Sequence, residues 1–348
     1  MRDILTILAS LVIVLLTLAL GAPYFINWSD HRAEIEARLT QALGLPIEIA
    51  GPIDIKLLPT PTLRIQRFAA GSKELGLSGE AARFELALVP LFRGDFQILE
   101  ADLEAPRLST SVDANGAITL PGMSAKTEKV QLDRLIIRNA TLVLNDARQQ
   151  PTSVVSDLSF TGSADSLSGP AKGQGEFKRD SRFIAYRFST GALESERLRL
   201  KLVLDMPGDV SRAELDGALV AKRSDERWRI GFEGAATVSG RIGDAGLPWR
   251  AVAAGNADAR GLHASTLDVR LGDDDIALSA SGEADARFGD GGNAHIDLTS
   301  RQLDLDRFQS KFDLAALLRS ANKAKALPLL SVSIDWHGDT ITAGGDTA

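Results

Sequence analysis

From residue 53 to residue 337 the chain returns again and again to one pattern. Apolar and polar residues alternate, and a turn signal then intervenes. Ile53, Ile55 and Leu57 alternate with Asp54 and Lys56; Ala82, Phe84, Leu86 and Leu88 alternate with Arg83, Glu85 and Ala87. Period two places every second side chain on one face of a pleated strand, so such a chain folds into β-sheet with two chemically different faces. Further strands are predicted at about 153–163, 171–178, 182–189, 197–205, 213–222, 227–240, 249–259, 263–271, 275–287, 293–303 and 331–337. The turns between them fall at Gly169-Pro170, Pro207-Gly208, Asp244-Ala245-Gly246, Gly272 to Asp275 and Gly289 to Gly292. Strands of ~9–12 residues would be ~30–40 Å long, which suits a long curved antiparallel sheet, groove-like, better than a compact sandwich. The turn spacing has no fixed period, so a meander is expected rather than a solenoid of repeats.

Local irregularities are also legible. Val89 to Gly94 reads as one helical turn. The phase of alternation slips at Leu99-Glu100, which predicts a bulge. Asp113 to Gly116 is a turn signal, and Arg138-Asn139-Ala140, flanked by Leu135–Ile137 and Leu142–Leu144, reads as a hairpin. A late helix is expected at about 306–326, carrying Phe308, Phe312, Leu314, Leu317 and Leu318, capped by Asp304 or Asp306 and stopped by Pro328. The chain stops at Gly344 to Ala348 with no closing element, which suggests a fragment of a longer protein or a sheet edge that meets a partner.

Ahead of this region, residues 4–29 carry no charge. The run is long enough to cross a hydrocarbon core, which takes ~20 residues. Ile4, Leu11, Leu15 and Leu20 lie in the apolar run, and Tyr24 and Trp28 stand at its far end, where amphipathic rings favour the headgroup layer. Residues 1–28 are therefore expected to form a transmembrane anchor, with the basic Arg2 end inside and the body outside, which in a bacterium is the periplasm. The alternative is a cleaved signal peptide, for which Ala19-Leu20-Gly21 is an acceptable site, but the run exceeds the ~7–15 residues of a signal h-region. Residues 29–45 form an amphipathic helix. Asn27 or Ser29 can cap it, Ile35, Leu39 and Leu43 share one stripe, and Gly44 and Pro46 end it. Residues 46–348 form the β-rich body.

The order of these elements resembles that of the AsmA family of bacterial envelope proteins. A membrane helix is followed by Trp28, a short helix of the form R-x-x-I-E-A-x-L, and then L-G-L-P-I-E-I-A-G-P-I-D-I-K-L-L-P-T-P-T-L. Similar phrases recur at Pro90 to Phe96, Ala105 to Leu108 and Ser300 to Arg307. The resemblance implies an inner-membrane anchor and a periplasmic β-rich body similar to TamB-type and bridge-like lipid-transfer proteins, with links to outer-membrane biogenesis and lipid homeostasis.

Several function classes are disfavoured. A net charge of −7 gives no basic face for nucleic acid. The chain has no cysteine, so it has neither disulfides nor thiolate chemistry. His31, His263, His295 and His337 are far apart, Asp273 to Asp275 lacks the spacing of a calcium loop, and no glycine run opens a helix, so no metal and no cofactor are expected. Ser331-Val332-Ser333 has no elbow context for a nucleophile, and Trp228, Trp249 and Trp336 read as packing residues. The sequence thus points to a non-enzymatic protein. The alternating apolar residues either fill a core or line a groove for phospholipid acyl chains. The candidate liners are Ile53, Ile55, Leu57, Phe84, Leu86, Leu88, Ile98, Leu142, Leu144, Phe183 and Leu200. The expected partners are phospholipid, the inner membrane, and an envelope protein at an exposed β edge; the alternative role is a scaffold or regulator of outer-membrane protein assembly and targeting.

Overall fold

The computed structural model describes residues 27–43, 46–71, 76–91, 93, 97–113, 116–119, 132–146, 153–166, 169–179, 181–224, 227–242, 246–272, 278–289, 291–301, 303–304, 331–343 and 346–347. The expected membrane segment and the late helix lie outside these residues. Among the described residues no helix is long and apolar enough to cross a membrane. The fold is mainly β, and the chain divides into two compact units. One comprises Met1–Thr110, Leu120–Val143 and Val154–Gly173; the other comprises Ser111–Thr119, Leu144–Ser153 and Gln174–Ala348.

The first unit opens with a 3-10 turn, Trp28–His31. Asn27 caps it, its side-chain oxygen accepting from the Ser29 N–H at 3.3 Å. Helix α1, Arg32–Leu43, follows. Strands β1 (Ile47–Ile49) and β2 (Ile53–Lys56) then lie end to end along β3 (Thr62–Gly71), Ile49 opposite Phe68 and Ile53 opposite Ile65. Gly51 lies between them, where a Cβ would come 2.2 Å from the Gln66 carbonyl oxygen, so only glycine lets the chain pass. The helix completes the edge of β1. Glu36 Oε1 accepts from the Ile49 N–H at 2.7 Å and Thr40 Oγ1 from the Ile47 N–H at 3.2 Å. These two donors point away from β3 and would otherwise lack partners.

Strand β4 (Gly76–Leu86) pairs with β3. After the one-turn helix α2 (Leu88–Leu91), β5 (Ile98–Glu104) pairs with β4. Glu85 faces Glu100 but Leu86 faces Ile98, so Leu99 is an extra residue, the bulge that the phase slip predicts. Strand β6 (Arg107–Val112) meets the start of β4. β7 (Ile118–Thr119) belongs to the second unit, and β8 (Leu132–Asp146) runs parallel to β5. Two sequence expectations fail here. The expected hairpin at Arg138–Ala140 is one continuous strand. Asn139 takes a left-handed φ of 55°, and the backbone on either side bonds onward: the Arg138 carbonyl accepts from Ala105 and the Thr141 N–H donates to Pro106. The sheet is also not wholly antiparallel, because residues 105–131 between β5 and β8 give length enough for a parallel crossover.

Strand β9 (Ser153–Ala164) and the start of β10 (Ala171–Arg179) complete the first unit. The second is a meander of β11 (Arg182–Glu194), β12 (Arg197–Asp205), β13 (Val210–Ser224), β14 (Arg227–Ile242), β15 (Leu247–Asp258), β16 (Gly261–Leu271), β17 (Leu278–Arg287) and β18 (Asn293–Ser300), each antiparallel to the next. β13 and β14, at 15 and 16 residues, exceed the expected length. After β19 (Leu303–Asp304), β20 (Ser331–Gly338) pairs with β18 in parallel, a second departure from the antiparallel expectation. β19, β21 (Ile341–Ala343) and β22 (Asp346–Thr347) form a small separate sheet.

The core of the first unit joins Ile35 and Leu39 of α1 to Ile47, Ile49, Ile53, Leu63, Ile65, Phe68, Phe84, Leu86, Ile98 and Leu132, with Trp28 packed against it. Leu39 and Leu63 are fully buried. Leu39→Ala should therefore destabilise this unit by about 2–5 kcal/mol, the range for truncating a buried leucine. The check is denaturant unfolding followed by Trp28 fluorescence, with Trp228, Trp249 and Trp336 replaced by Phe. A loss below about 1 kcal/mol would show that α1 does not close this core.

Candidate functional site: an apolar sheet face

Register decides which side chains share a face. In the second unit the ladders set Leu202 opposite Leu215, then Ala236, Ala253, Leu267, Gly282, Leu298 and finally Trp336, one from each strand from β12 to β18 and β20. The next row on the same face runs Leu200, Gly217, Gly234, Gly255, Ala264, Ala284, Ile296, Ile334, and the one beyond it Leu198, Leu219, Phe232, Ala257, Leu262, Ala286, Ala294, Val332. On the other side of the first row lie Leu204, Ala213, Val238, Ala251, Val269 and Ala280. Four rows without a charged or hydrogen-bonding side chain, other than the indole N–H of Trp336, thus cross the sheet.

The opposite face is polar and laced with ion pairs: Arg212 with Glu214 at 2.6 Å, Arg197 with Glu233 at 2.6 Å and Lys201 with Asp216 at 3.6 Å. The Arg212 guanidinium, through its hydrogen bond, holds the Glu214 carboxyl below its ordinary pKa. These pairs are exposed, so each adds little stability. Their consequence is to fix which face meets water.

Solvent access separates this face from the core of the first unit. There, Leu63 and Ile65 are at most 1% exposed under α1. In the second unit most of the apolar residues are half-buried, and Val332, Ile334 and Trp336 are 53%, 57% and 44% exposed. Among the described residues no helix covers them. At the β11 end, Tyr186 faces Leu204 and Phe188 faces Leu202. Burial pushes the Tyr186 phenol up to about 12, because the ionised form would lose its hydration.

The sequence-predicted liners divide between the units. Ile53, Phe84, Leu86 and Ile98 are buried in the core under α1, with Ile55 half-buried against it. They are core residues in this structure, members of the same buried cluster as Ile35 and Leu39. Leu57 lies just past the end of β2 and is half-buried. Leu88 belongs to α2, not to the strand whose alternation it continues, and is 39% exposed. Leu142 and Leu144 lie half-buried on β8. Leu200 is on the apolar face; Phe183 is exposed on the other, with the Lys178 ammonium 5.8 Å from its ring centre. Of the expected anchor residues only Trp28 is described, and it packs on the first core. Most of the open apolar face went unread because alanine and glycine build much of it from β13 to β17, and small residues leave a weak alternation.

The His263 ring nitrogen lies 2.8 Å from Asp285, and that of His295 3.0 Å from Ser333 Oγ. Among the described residues, no group of three or more His, Asp or Glu is placed to hold a metal ion. The family model that matches the chain is that of the AsmA family, over residues 1–286. No curated protein and no solved structure matches it.

The chain has two tyrosines, so Tyr24→Phe leaves Tyr186 as the sole phenol. Its absorbance titration should have a midpoint of about 12. A midpoint near the free-phenol value of about 10 would mean that water reaches this end of the face freely.

Proposed function

The chain belongs to the AsmA family, and from that premise we propose that it is a non-enzymatic, inner-membrane-anchored envelope protein whose periplasmic body carries phospholipid acyl chains on the apolar face of the second unit. The in-register apolar face, open to solvent at Leu262 and along β20, carries this reading. Soluble proteins rarely leave contiguous apolar patches larger than a few hundred Å² without a partner. The dimensions suit an acyl chain. From Leu198 to Leu204 of β12 the rise is ~20 Å at ~3.3 Å per residue, against ~15 Å for half of a ~30 Å hydrocarbon core. Chains laid along the strands would bury their methylenes at ~0.8 kcal/mol each, with headgroups at the strand ends. The small residues from β15 to β17, Gly255 and Gly282 among them, leave room for them. The uncharged run of residues 4–29 supplies the anchor and lies within the family match.

A second reading, a scaffold or regulator of outer-membrane protein assembly, is favoured by one observation. The residues of β20 from Ser331 to His337 are all exposed, and among the described residues the strand pairs with β18 alone. An open edge of this kind invites strand addition. Crosslinks from Ser331 or Ser333 to an envelope protein, with lipid content unaffected by changes to the apolar face, would favour it.

The acyl-chain reading is tested by phospholipid content and uptake of a fluorescent phospholipid. The wild-type protein should co-purify with phospholipid. Ala236→Asp and Leu267→Asp, each placing a charge among the rows, should lower uptake by about tenfold or more, the scale of burying an unpaired charge. Thr237→Asp, on the polar face, should leave it unchanged. Wild-type protein free of phospholipid and unable to take up the probe would overturn the reading.

A further inference from the structure

On the polar face of the first unit, opposite Leu63 and Ile65, lies an open pocket of about 180 Å³ lined by Asp54, Lys56, Thr62, Arg64 and Arg83. Its charges form an in-register row of Asp54, Arg64, Arg83 and Asp102, and Asp102 is already taken by Arg138. Arg64 stands directly across the ladder from Arg83, and opposed residues root their side chains ~5 Å apart, where like charges destabilise the pair. Lys56, opposite Thr62 on the other flank of β3, adds a third cation one diagonal step away. Glu85 takes one arm of Arg83 at 2.7 Å. Among the described residues, the Arg64 and Lys56 side chains make no hydrogen bond or ion pair. Asp54 faces Arg64 in register but lies beyond ion-pair distance. The Thr62 hydroxyl donates to the Thr60 carbonyl at 3.1 Å.

We infer that this pocket binds a phosphate-bearing anion. A tetrahedral oxyanion between Arg64 and Arg83 converts their repulsion into two sets of charge-assisted hydrogen bonds, for which the planar guanidinium fork is shaped. Lys56 supplies a further point charge. Asp54, also in the lining, is an acceptor for the polar or ammonium part of a headgroup. The phosphate chemistry stands on this pocket alone and does not involve the apolar face of the second unit. Assigning the anion to a phospholipid headgroup rests additionally on the anchored orientation proposed above. In that orientation β2 and β3 follow the anchor after only the 3-10 turn, α1 and the short β1, and so lie next to the bilayer surface.

The test uses the full chain in a nonionic detergent and calorimetric titration with three probes: inorganic phosphate, short-chain phosphatidylglycerol below its micelle concentration, and the matching diacylglycerol, which lacks phosphate. Short-chain phosphatidylglycerol should bind and the diacylglycerol should not compete for the same site. Arg64→Gln and Lys56→Gln should each weaken binding about tenfold, the loss of one charge-assisted contact. Arg64→Lys should lose less, and Arg241→Gln, a charge-matched change in the second unit, should lose nothing. Raised salt should weaken binding, as screening requires for an exposed site. Phosphate competing with the lipid would support the site with the phosphate group as its whole ligand; phosphate failing while the lipid binds would support a headgroup site. Binding of neither probe, or equal binding by the Arg64→Gln and Lys56→Gln variants, overturns the inference. Acyl uptake measured on the Ala236→Asp variant is a separate readout, so failure of one reading does not disguise failure of the other.

Discussion

Everything distinctive about the second unit depends on parity in its strand ladders. A slip of one residue in any pairing would send that strand's apolar set to the polar face. The sequence does not keep perfect parity. In β16 the apolar positions run Leu262, Ala264, then Leu267, Val269, a change from even to odd numbers. The ladder absorbs the slip: Ala254 faces Thr266 and Gly255 faces Ala264, so Ser265 is an extra residue. β11 does the same between Thr190 and Leu193, and β5 between Ile98 and Glu100. At each slip a bulge restores the apolar face, which would not be required of strands whose two faces were equivalent.

The same faces account for the glycines. The chain has 31 glycines and 13 phenylalanines, and among the described residues several glycines lie against a phenylalanine ring. A Cβ on Gly79 would collide with the Phe68 ring at 2.6 Å, one on Gly173 with the Phe160 ring at 2.1 Å, and one on Gly217 with the Phe232 ring at 2.9 Å. The ring lies flat over bare backbone, filling the volume the missing side chain leaves. Gly234 beside Gly217 shares the same cover, with φ at +156°. Glycine here does not weaken the sheet as it would alone, because the aromatic ring restores the packing. Where no ring is supplied, as at Gly255 and Gly282, the face stays shallow.

Much of this was legible from residue pattern, and the failures have physical causes. Strand limits across the second unit follow the turn residues closely, from Arg197–Asp205 to Ser331–Gly338. Alternation identified strands without identifying what covers them. Ile53, Phe84, Leu86 and Ile98 are strongly patterned and are natural candidates for an open groove, yet they join Ile35 and Leu39 of α1 in one buried core. That contact is long-range and leaves no local trace. The reverse error hid the open face, because Ala251, Ala253, Gly255 and Ala257 present few methylenes to announce it. Arg138–Ala140 misled for another reason: Asn139 in a left-handed conformation marks a change in what the strand bonds to, whereas the same residue type at a chain reversal would read identically. Parallel pairing is also set by partners distant in sequence.

The two units use the same device and differ in how they complete it. Each has a sheet with one polar and one apolar face. In the first, a helix of twelve residues contributes Ile35 and Leu39, and the strand residues beneath fall to a few per cent exposure. In the second, residues of the same kind remain open along the edge strand β20, at 44–57%. Burial of such side chains is worth ~1.5–3 kcal/mol each, so an uncovered face forgoes stabilisation that the first unit obtains. The second unit offsets this with length: strands of 15 and 16 residues satisfy their backbone in the ladders rather than through a core. A sheet held together by its ladders can leave a face unoccupied, or exchange what occupies it, without unfolding. On the acyl-chain reading, a ligand that binds only the folded form would add stability in proportion to the logarithm of its free concentration over its dissociation constant. A covered core like that of the first unit could not release its cover without losing the fold.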